Sequence, residues 1–116
     1  MGTATIQVRV LAVAGRRVWV AARGTLGGPT VRVLHYCLCA RVADARTQLY
    51  LDLRELCWDK ELSPGELSGL LPAGERLRFH IVGVREALRA PMARDPRCSF
   101  HPDAASAWAA WTAQQP

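Results

Sequence analysis

The stretch that decides the fold spans residues 49–67 and reads LYLDLRELCWDKELSPGEL. Its first five residues, Leu49–Leu53, place leucines at alternate positions, and this period of two predicts a short, apolar, central strand. The stretch then becomes charged, with Asp-Lys-Glu at positions 59–61. Ser63 and Glu66 next have the spacing of a capping box, with a proline at the first helical position between them. The segment therefore predicts a strand, a polar turn and a helix.

The rest of the chain alternates strand-like and helix-like segments around this stretch. Apolar residues repeat at every second position in the predicted strands and at helical spacing in the predicted helices. The predicted strands cover residues 6–10, 18–22, 49–53, 76–84 and 97–101, and the predicted helices cover 30–46, 66–71, 85–96 and the segment after 103. Strands that alternate with helices indicate a largely parallel sheet with right-handed crossovers, opened here by one antiparallel hairpin. We expect a single α/β domain over residues 1–116, with helices packed on a mixed, mostly parallel sheet.

Two of the predicted helices depend on particular positions. Residues 30–46 contain both a β-prone part, VRVLHYCLC, and a helix-prone part, ARVADAR, and the length of the segment together with its tail favours a helix. One face of that helix would carry Val31, Leu34, Leu38 and Val42. In the last helix, Asp103 is the predicted N-cap, and Trp108 and Trp111 share a face with two alanines, Ala104 and Ala107.

Composition and charge limit the classes of function. The chain of 116 residues is 50% hydrophobic and 22% charged, which is typical of one globular domain. No apolar run approaches the roughly 18 residues needed to cross a bilayer, and the N-terminus lacks a signal-peptide pattern. We therefore expect a cytoplasmic protein that does not insert into a membrane. The sequence does not indicate an oligomeric state.

The positive charge of the chain is unevenly distributed. The net charge is +5, residues 1–43 hold six arginines and no acid, and residues 52–66 hold five acids. A basic balance permits nucleic-acid binding. The sequence contains no basic run, no basic motif interleaved with aromatic residues and no helix-turn-helix pattern. We therefore expect solvated arginines on the surface and no nucleic-acid partner.

The cysteines and histidines do not form a recognisable chemical motif. The four cysteines are too few and too irregularly spaced for a disulfide scaffold, so we expect reduced, apolar thiols. On a helix, His35 and Cys39 share a face while Cys37 points away, and a fourth zinc ligand would have to come from far off. A nucleophilic pair drawn from Cys37, Cys57, Cys98, His80 and His101 has no local signature. His80 stands in an alternating strand and is expected to be a surface or partly buried residue. GTLGGP, residues 24–29, lacks the lysine and the spacing of a phosphate-binding loop. We therefore predict no catalytic residue, metal or cofactor.

With this order of elements, the chain resembles a STAS domain, the fold of bacterial anti-sigma factor antagonists, over nearly its whole length. VWVAARGTL at residues 18–26 resembles the second strand of the family, and LYLDLRELCW at residues 49–58 resembles its central strand. RLRFHIVGV at residues 76–84 and FHPDAASAWAAW at residues 100–111 resemble the last two transitions from strand to helix. The resemblance implies a protein partner and no enzymatic activity.

The chain departs from the family in the turn after the central strand. That turn usually reads Asp-Ser-Ser-Gly in the family, and a partner kinase phosphorylates one of the hydroxyls, which breaks the complex. Here the strand end Asp52-Leu53 matches and Trp58 falls where an aromatic residue is expected, but residues 59–62 carry no hydroxyl. The Glu and Asp of the family's hairpin motif are replaced by Thr25 and Gly27. The resemblance thus implies a recognition surface that either lacks its switch or resembles the phosphorylated state through its carboxylates.

We therefore expect a non-enzymatic interaction module that binds an anti-sigma factor or its kinase domain through the turn at residues 57–66 and the helix that follows it. The expected partner-binding residues are Trp58, Asp59, Lys60, Glu61, Ser63 and Glu66. Trp58 has an alternative interpretation as a core aromatic residue that closes the sheet, and the capping role of Ser63 accounts for its presence. Two other functions stay open: a STAS subunit of an ABC-type transport complex, and a small enzyme or ligand-binding protein on the same scaffold.

Overall fold

The computed structural model describes residues 5–59 and 62–113. Its elements follow the order β-β-α-β-α-β-α-β-α, as the sequence predicts. They are β1 Ile6–Ala14, β2 Arg17–Leu26, α1 Gly28–Ala43, β3 Gln48–Trp58, α2 Pro64–Ser68, β4 Arg78–Val82, α3 Glu86–Met92, β5 Cys98–His101 and α4 Ala104–Ala113. None of the helices in these residues is both long and apolar enough to span a membrane.

The five strands form one mixed sheet in the order β1-β2-β3-β4-β5. β1 and β2 form an antiparallel hairpin, and every later pair is parallel. The hairpin turn needs only Gly15 and Arg16, and Gly15 takes the left-handed conformation at φ 56°. Parallel neighbours cannot be joined so tightly, and a helix therefore connects each parallel pair. The predicted fold class is confirmed, with β3 at the centre and β5 at an edge.

β3 is longer than predicted, because it continues five residues beyond Leu53 to Trp58. The pairing of β3 with β4 ends at Asp52 opposite Val82. The pairing with β2 continues through a register shift and ends at Leu26 opposite Trp58. The prediction that residue 57 opens the turn is therefore wrong, because Cys57 and Trp58 are still strand. The extended β2 provides the backbone hydrogen bonds that make this continuation possible.

α1 confirms the helix prediction for the ambiguous segment 30–46, although it ends earlier, at Ala43. Thr30 organises its start, because its hydroxyl accepts a hydrogen bond from the Gly27 N–H at 2.7 Å and donates to the Thr25 carbonyl at 2.7 Å. Val31, Leu34 and Leu38 are buried, and Val42 packs partly buried against the same core. The helix ends before Ala45, whose φ of 64° is incompatible with a continuing right-handed helix.

The two faces of the sheet carry separate apolar clusters. The main core lies between the sheet and α1, α2 and α3, and includes Leu49, Leu51, Phe79 and Ile81. The opposite face carries a smaller aromatic cluster, which α4 covers; its buried members are Trp19, Tyr50, Val82, Ala107 and Trp111. Trp108 shares this cluster only at its rim, because 52% of its surface stays exposed. Its ring centroid nevertheless lies 5.9 Å from that of Trp19.

Tyr50 is fully buried in this aromatic cluster without a hydrogen bond to its hydroxyl group among the described residues. Its ring stacks on Trp19 at 5.4 Å and on His80 at 4.1 Å. Burial raises the pKa of Tyr50 above its ordinary value, and the positive charge of Arg17 opposes this rise. The ring therefore stabilises the cluster, whereas the hydroxyl opposes folding through its lost hydration.

We expect Tyr50→Phe to raise the free energy of unfolding by about 1 kcal/mol, because the ring contacts remain and the unpaired hydroxyl disappears. Urea denaturation monitored by tryptophan fluorescence measures the change. The control is Tyr36→Phe, whose ring is 68% exposed and whose loss of a hydroxyl should leave stability unchanged. A loss of stability in Tyr50→Phe would show that the hydroxyl has a partner, such as a buried water.

Candidate functional site

The predicted site lies at the carboxyl ends of β2 and β3, beside the first turn of α1. The N–H of Asp59 donates to the Leu26 carbonyl at 3.0 Å and so ties the end of β3 to the end of β2. α1 then begins at Gly28 and α2 at Pro64. In parallel sheets this edge collects the loops that bind ligands and partners. The fold thus places the turn after β3 close to the start of α1.

Ser63 and Glu66 form the predicted capping box at the start of α2. The Ser63 hydroxyl accepts a hydrogen bond from the Glu66 N–H at 3.1 Å and donates to Glu66 Oε1 at 3.1 Å. The same Oε1 accepts the Ser63 N–H at 3.2 Å. Glu66 Oε2 lies only 3.0 Å from the position that a Cβ on Gly28 would occupy. The absence of a side chain at Gly28 therefore lets the exposed carboxylate approach the N-terminus of α1, where the helix dipole favours negative charge.

The other predicted site residues differ in their exposure. Trp58 is partly buried and packs against the main core, which agrees with its interpretation as an aromatic residue that closes the sheet. Asp59 is partly buried, whereas Ser63 and Glu66 are exposed. Leu62 is buried and anchors the turn in the main core. Lys60 and Glu61 lie outside the described residues, so their predicted contribution remains a prediction.

An open groove of about 770 Å³ lies between α1 and α2. Residues from both helices line it, including Gly28, Pro29, Arg32, His35, Glu66 and Gly69. Glu66 was predicted from the sequence, but the contribution of α1 was missed. The available signal was the pair of glycines before α1, because residues without side chains permit a close approach of two chain segments.

The cysteines and histidines lie in different surroundings. His35 and Cys39 share a face of α1, as predicted, and their side chains are in contact. Among residues 5–59 and 62–113, no three His, Cys, Asp or Glu side chains are grouped as a metal site. Cys98 packs against the main core, and burial raises the pKa of its thiol to about 11.

His80 is more deeply placed than predicted, since only 8% of its surface is exposed. The sequence indicated a surface or partly buried residue, because His80 alternates with core residues in its strand. The aromatic cluster and α4 cover this second face of the sheet. His80 stacks on Tyr50 at 4.1 Å, and its Nδ1 lies 3.3 Å from His101 Nε2. The signal for this cluster was the tryptophan content of the final helix.

Asp52 does not end β3, although the sequence placed a strand end there. Its buried carboxylate accepts three hydrogen bonds from Arg54, from the backbone N–H at 3.1 Å, from Nε at 2.9 Å and from Nη2 at 2.7 Å. Asp52 marks the end of the pairing with β4. β3 continues beyond Asp52 through its pairing with β2. The resemblance had implied a turn close behind Asp52-Leu53.

The fold is similar to that of anti-sigma factor antagonists of known structure. A crystal structure of an anti-sigma factor antagonist from Mycobacterium paratuberculosis has a TM-score of 0.67 and 24% identity, over 91% of this chain and 93% of that chain. The anti-sigma factor antagonist SpoIIAA, in its unphosphorylated form, has a TM-score of 0.65 and 11% identity, over 94% of this chain and 100% of that chain. No protein-family model and no curated protein sequence matches this chain. The expected STAS-like fold is thus confirmed.

Proposed function

We propose that this chain is a non-enzymatic interaction module that binds an anti-sigma factor, or the kinase domain of one, in the bacterial cytoplasm. The binding surface consists of the turn after β3, with Trp58 and Asp59, the exposed capping box of α2, and the first turns of α1. Lys60 and Glu61 belong to the same turn in the sequence. The observation that carries the proposal is the Glu66 carboxylate, exposed and held against the start of α1. The fold likeness supports the class of partner.

The composition of the groove favours a protein partner. Arg32 and Glu66 supply opposite charges on its two walls, while Pro29 and Tyr36 supply apolar surface. Aromatic and arginine side chains with a polar rim are typical of protein interfaces. α1 packs on the main core, and Leu62 and Leu67 anchor the segment around α2. Segments anchored in this way lose little entropy when a partner binds.

We further propose that phosphorylation does not switch this surface. The Ser63 hydroxyl both accepts and donates hydrogen bonds within the capping box. A phosphate there would break the bond to Glu66 Oε1 and place two negative groups next to each other. Ser63 therefore serves the helix start, and the Glu66 carboxylate supplies a permanent negative charge.

The test is the affinity of the purified chain for the anti-sigma factor of its native host, measured by isothermal titration calorimetry. We expect Glu66→Gln to weaken binding about fivefold, because the amide keeps the capping geometry but removes the charge. The matched control is Glu75→Gln, since Glu75 is exposed before β4, away from the groove. It should bind like the unmodified chain.

Equal affinities for Glu66→Gln and the unmodified chain would remove this surface from the interface. Absence of binding to any anti-sigma factor, together with recovery of a permease or an ATPase from the host lysate, would instead assign the chain to a transport complex. Stoichiometric phosphate on Ser63 after incubation with a kinase partner would contradict the absence of a switch.

A further inference from the structure

His35 and Cys39 form a side-chain pair that the proposed function does not use. The two residues lie one turn apart on α1, and His35 Nε2 is 3.4 Å from Cys39 Sγ. On its other side, His35 Nδ1 is 3.1 Å from the carbonyl oxygen of Leu70, the second residue after α2. His35 and Cys39 are both partly exposed, whereas Leu70 is fully buried.

The Leu70 carbonyl determines which nitrogen of His35 carries the proton. A carbonyl oxygen only accepts hydrogen bonds, so Nδ1 must donate its N–H to Leu70. In the neutral imidazole, Nε2 is then the unprotonated nitrogen, and it faces the Cys39 thiol. A nucleophile, a base in contact with it and a third group that orients the base are the arrangement that activates a side chain for covalent chemistry.

We propose that Cys39 is a modification site, at which His35 activates the thiol for exchange with a low-molecular-weight disulfide. In the first step the Cys39 S–H transfers its proton to His35 Nε2 and the thiolate attacks one sulfur of the disulfide. The S–S bond of the reagent breaks as the new S–S bond to Cys39 forms. The leaving thiolate then takes the proton from His35, so that one thiol is released and no further oxidant is needed.

The local charge indicates the kind of disulfide. Arg32 lines the groove together with His35, and the Glu66 carboxylate lines its opposite wall. Oxidised glutathione carries carboxylates and ammonium groups on both halves, so it can pair with both charges and is a suitable probe.

The other cysteines provide controls within the same chain. Cys37 lies two residues before Cys39, points to another side of α1 and lines a separate groove next to β1. Cys57 is exposed at the end of β3. Cys98 is disfavoured as a nucleophile, because burial raises the pKa of its thiol to about 11.

Modification of Cys39 also affects the segment after α2. An adduct on Sγ removes the thiol proton that faces His35 and crowds the ring, which weakens the bond from His35 to Leu70. This bond links α1 to the chain that follows the capping box. The consequence for partner affinity rests on the proposed function, whereas the reactivity of Cys39 does not.

The experiment exposes the full chain to oxidised glutathione at pH 7.5 and measures the adduct on each cysteine by quenched peptide mapping. We expect Cys39 to react about tenfold faster than Cys37 and Cys57, and His35→Gln to abolish this advantage. At about pH 10, above the ordinary thiol pKa of about 8.5, thiolates form without a base, so His35→Gln and the unmodified chain should react equally at Cys39.

Hydrogen–deuterium exchange tests the effect on structure in the stoichiometric adduct. We expect faster exchange in residues 62–71 and no change in β4. Cys39→Ser treated with the same reagent should show no change in either segment. Equal rates for Cys39 and Cys37, or an unchanged Cys39 rate in His35→Gln at pH 7.5, would overturn the proposal. A difference in the Cys39 rate between His35→Gln and the unmodified chain that persists at pH 10 would also overturn it, because a change in the accessibility of Cys39 would then explain the result. Failure to bind an anti-sigma factor would contradict the proposed function, but it would not change the expected reactivity of Cys39.

Discussion

Replacing Gly24 with alanine is expected to lower the free energy of unfolding by about 3 kcal/mol. Gly24 has a φ of 119°, a conformation that is nearly restricted to glycine. A Cβ there would lie 2.3 Å from the Thr5 carbonyl oxygen and 3.0 Å from the Ile6 Cα. Both are backbone atoms and cannot rotate away as a side chain could.

The Gly24→Ala substitution would also alter the candidate functional site. The Thr5 carbonyl accepts a hydrogen bond from the Thr25 N–H at 2.8 Å. The Thr25 carbonyl in turn accepts from Thr30, which organises the start of α1. A displaced strand at Gly24 would therefore move the first turn of α1 and with it one wall of the groove.

Gly15→Ala is the matched control for Gly24→Ala. Gly15 also has a positive φ, at 56°, but a Cβ there would meet no atom within 4 Å. The control should cost about 1 kcal/mol, which is the intrinsic cost of the left-handed conformation. Urea denaturation of both variants separates conformational strain from the steric clash. Equal losses in the two variants would show that the Thr5 carbonyl does not lie against Gly24.

The second large effect is a loss of stability in mild acid, caused by His80. Burial, together with a smaller contribution from nearby His101, lowers the pKa of His80 from its ordinary 6.5 to about 4. The ring stacks on Tyr50, and its Nε2 lies 3.1 Å from Gln48 Oε1, which accepts the N–H. His80 is therefore neutral in the folded protein at neutral pH.

The direction of the pH effect follows from proton binding. Between pH 6.5 and about 4, the unfolded chain takes up a proton on His80 while the folded chain does not, so stability falls as the pH falls through this range. The loss amounts to about 3 kcal/mol and stops below about pH 4, where both states are protonated. Asp95 adds a separate loss at lower pH, because the hydrogen bond from Arg97 lowers the pKa of its carboxyl.

Urea denaturation at intervals between pH 7.5 and pH 4 measures this dependence. In His80→Phe the aromatic ring can still stack on Tyr50 but cannot titrate, so the slope between pH 6.5 and 4 should largely disappear. Tyr36→Phe serves as the control, since Tyr36 is exposed on α1, on the opposite face of the sheet from His80, and its slope should match that of the unmodified chain. A flat stability profile for the unmodified chain would mean that His80 is accessible to solvent.

Features that depend on neighbours in the chain were predicted well. The capping box of Ser63 and Glu66 involves residues three apart, and so does the bond from the Ser106 N–H to Asp103 Oδ1 at 2.8 Å. The buried face of α1 likewise follows from residues spaced by one turn. Local backbone geometry suffices for such contacts, and therefore a pattern of residue types is enough to identify them.

The length of β3 was underestimated, because the alternation of apolar and polar residues is interrupted after Leu53. The register of β3 against β2 shifts between Ala21 and Arg23. After the shift, buried Leu53 is followed by buried Leu56, three positions later, with two exposed charged residues between them. Alternation alone indicates the end of a strand at this point. The hydrogen bonds to β2 continue, and they determine where β3 ends.

The sequence by itself determined the order of elements, the mixed sheet and the helix start that carries Ser63 and Glu66, since each follows from periodicity or from contacts within one turn. The tertiary structure alone decided which residues from distant segments meet. It formed the groove between α1 and α2, buried His80 beneath the aromatic cluster, and placed the Leu70 carbonyl against His35. Such contacts depend on how the faces of the sheet are covered, and burial there, unlike helix capping, has no signature in neighbouring residues.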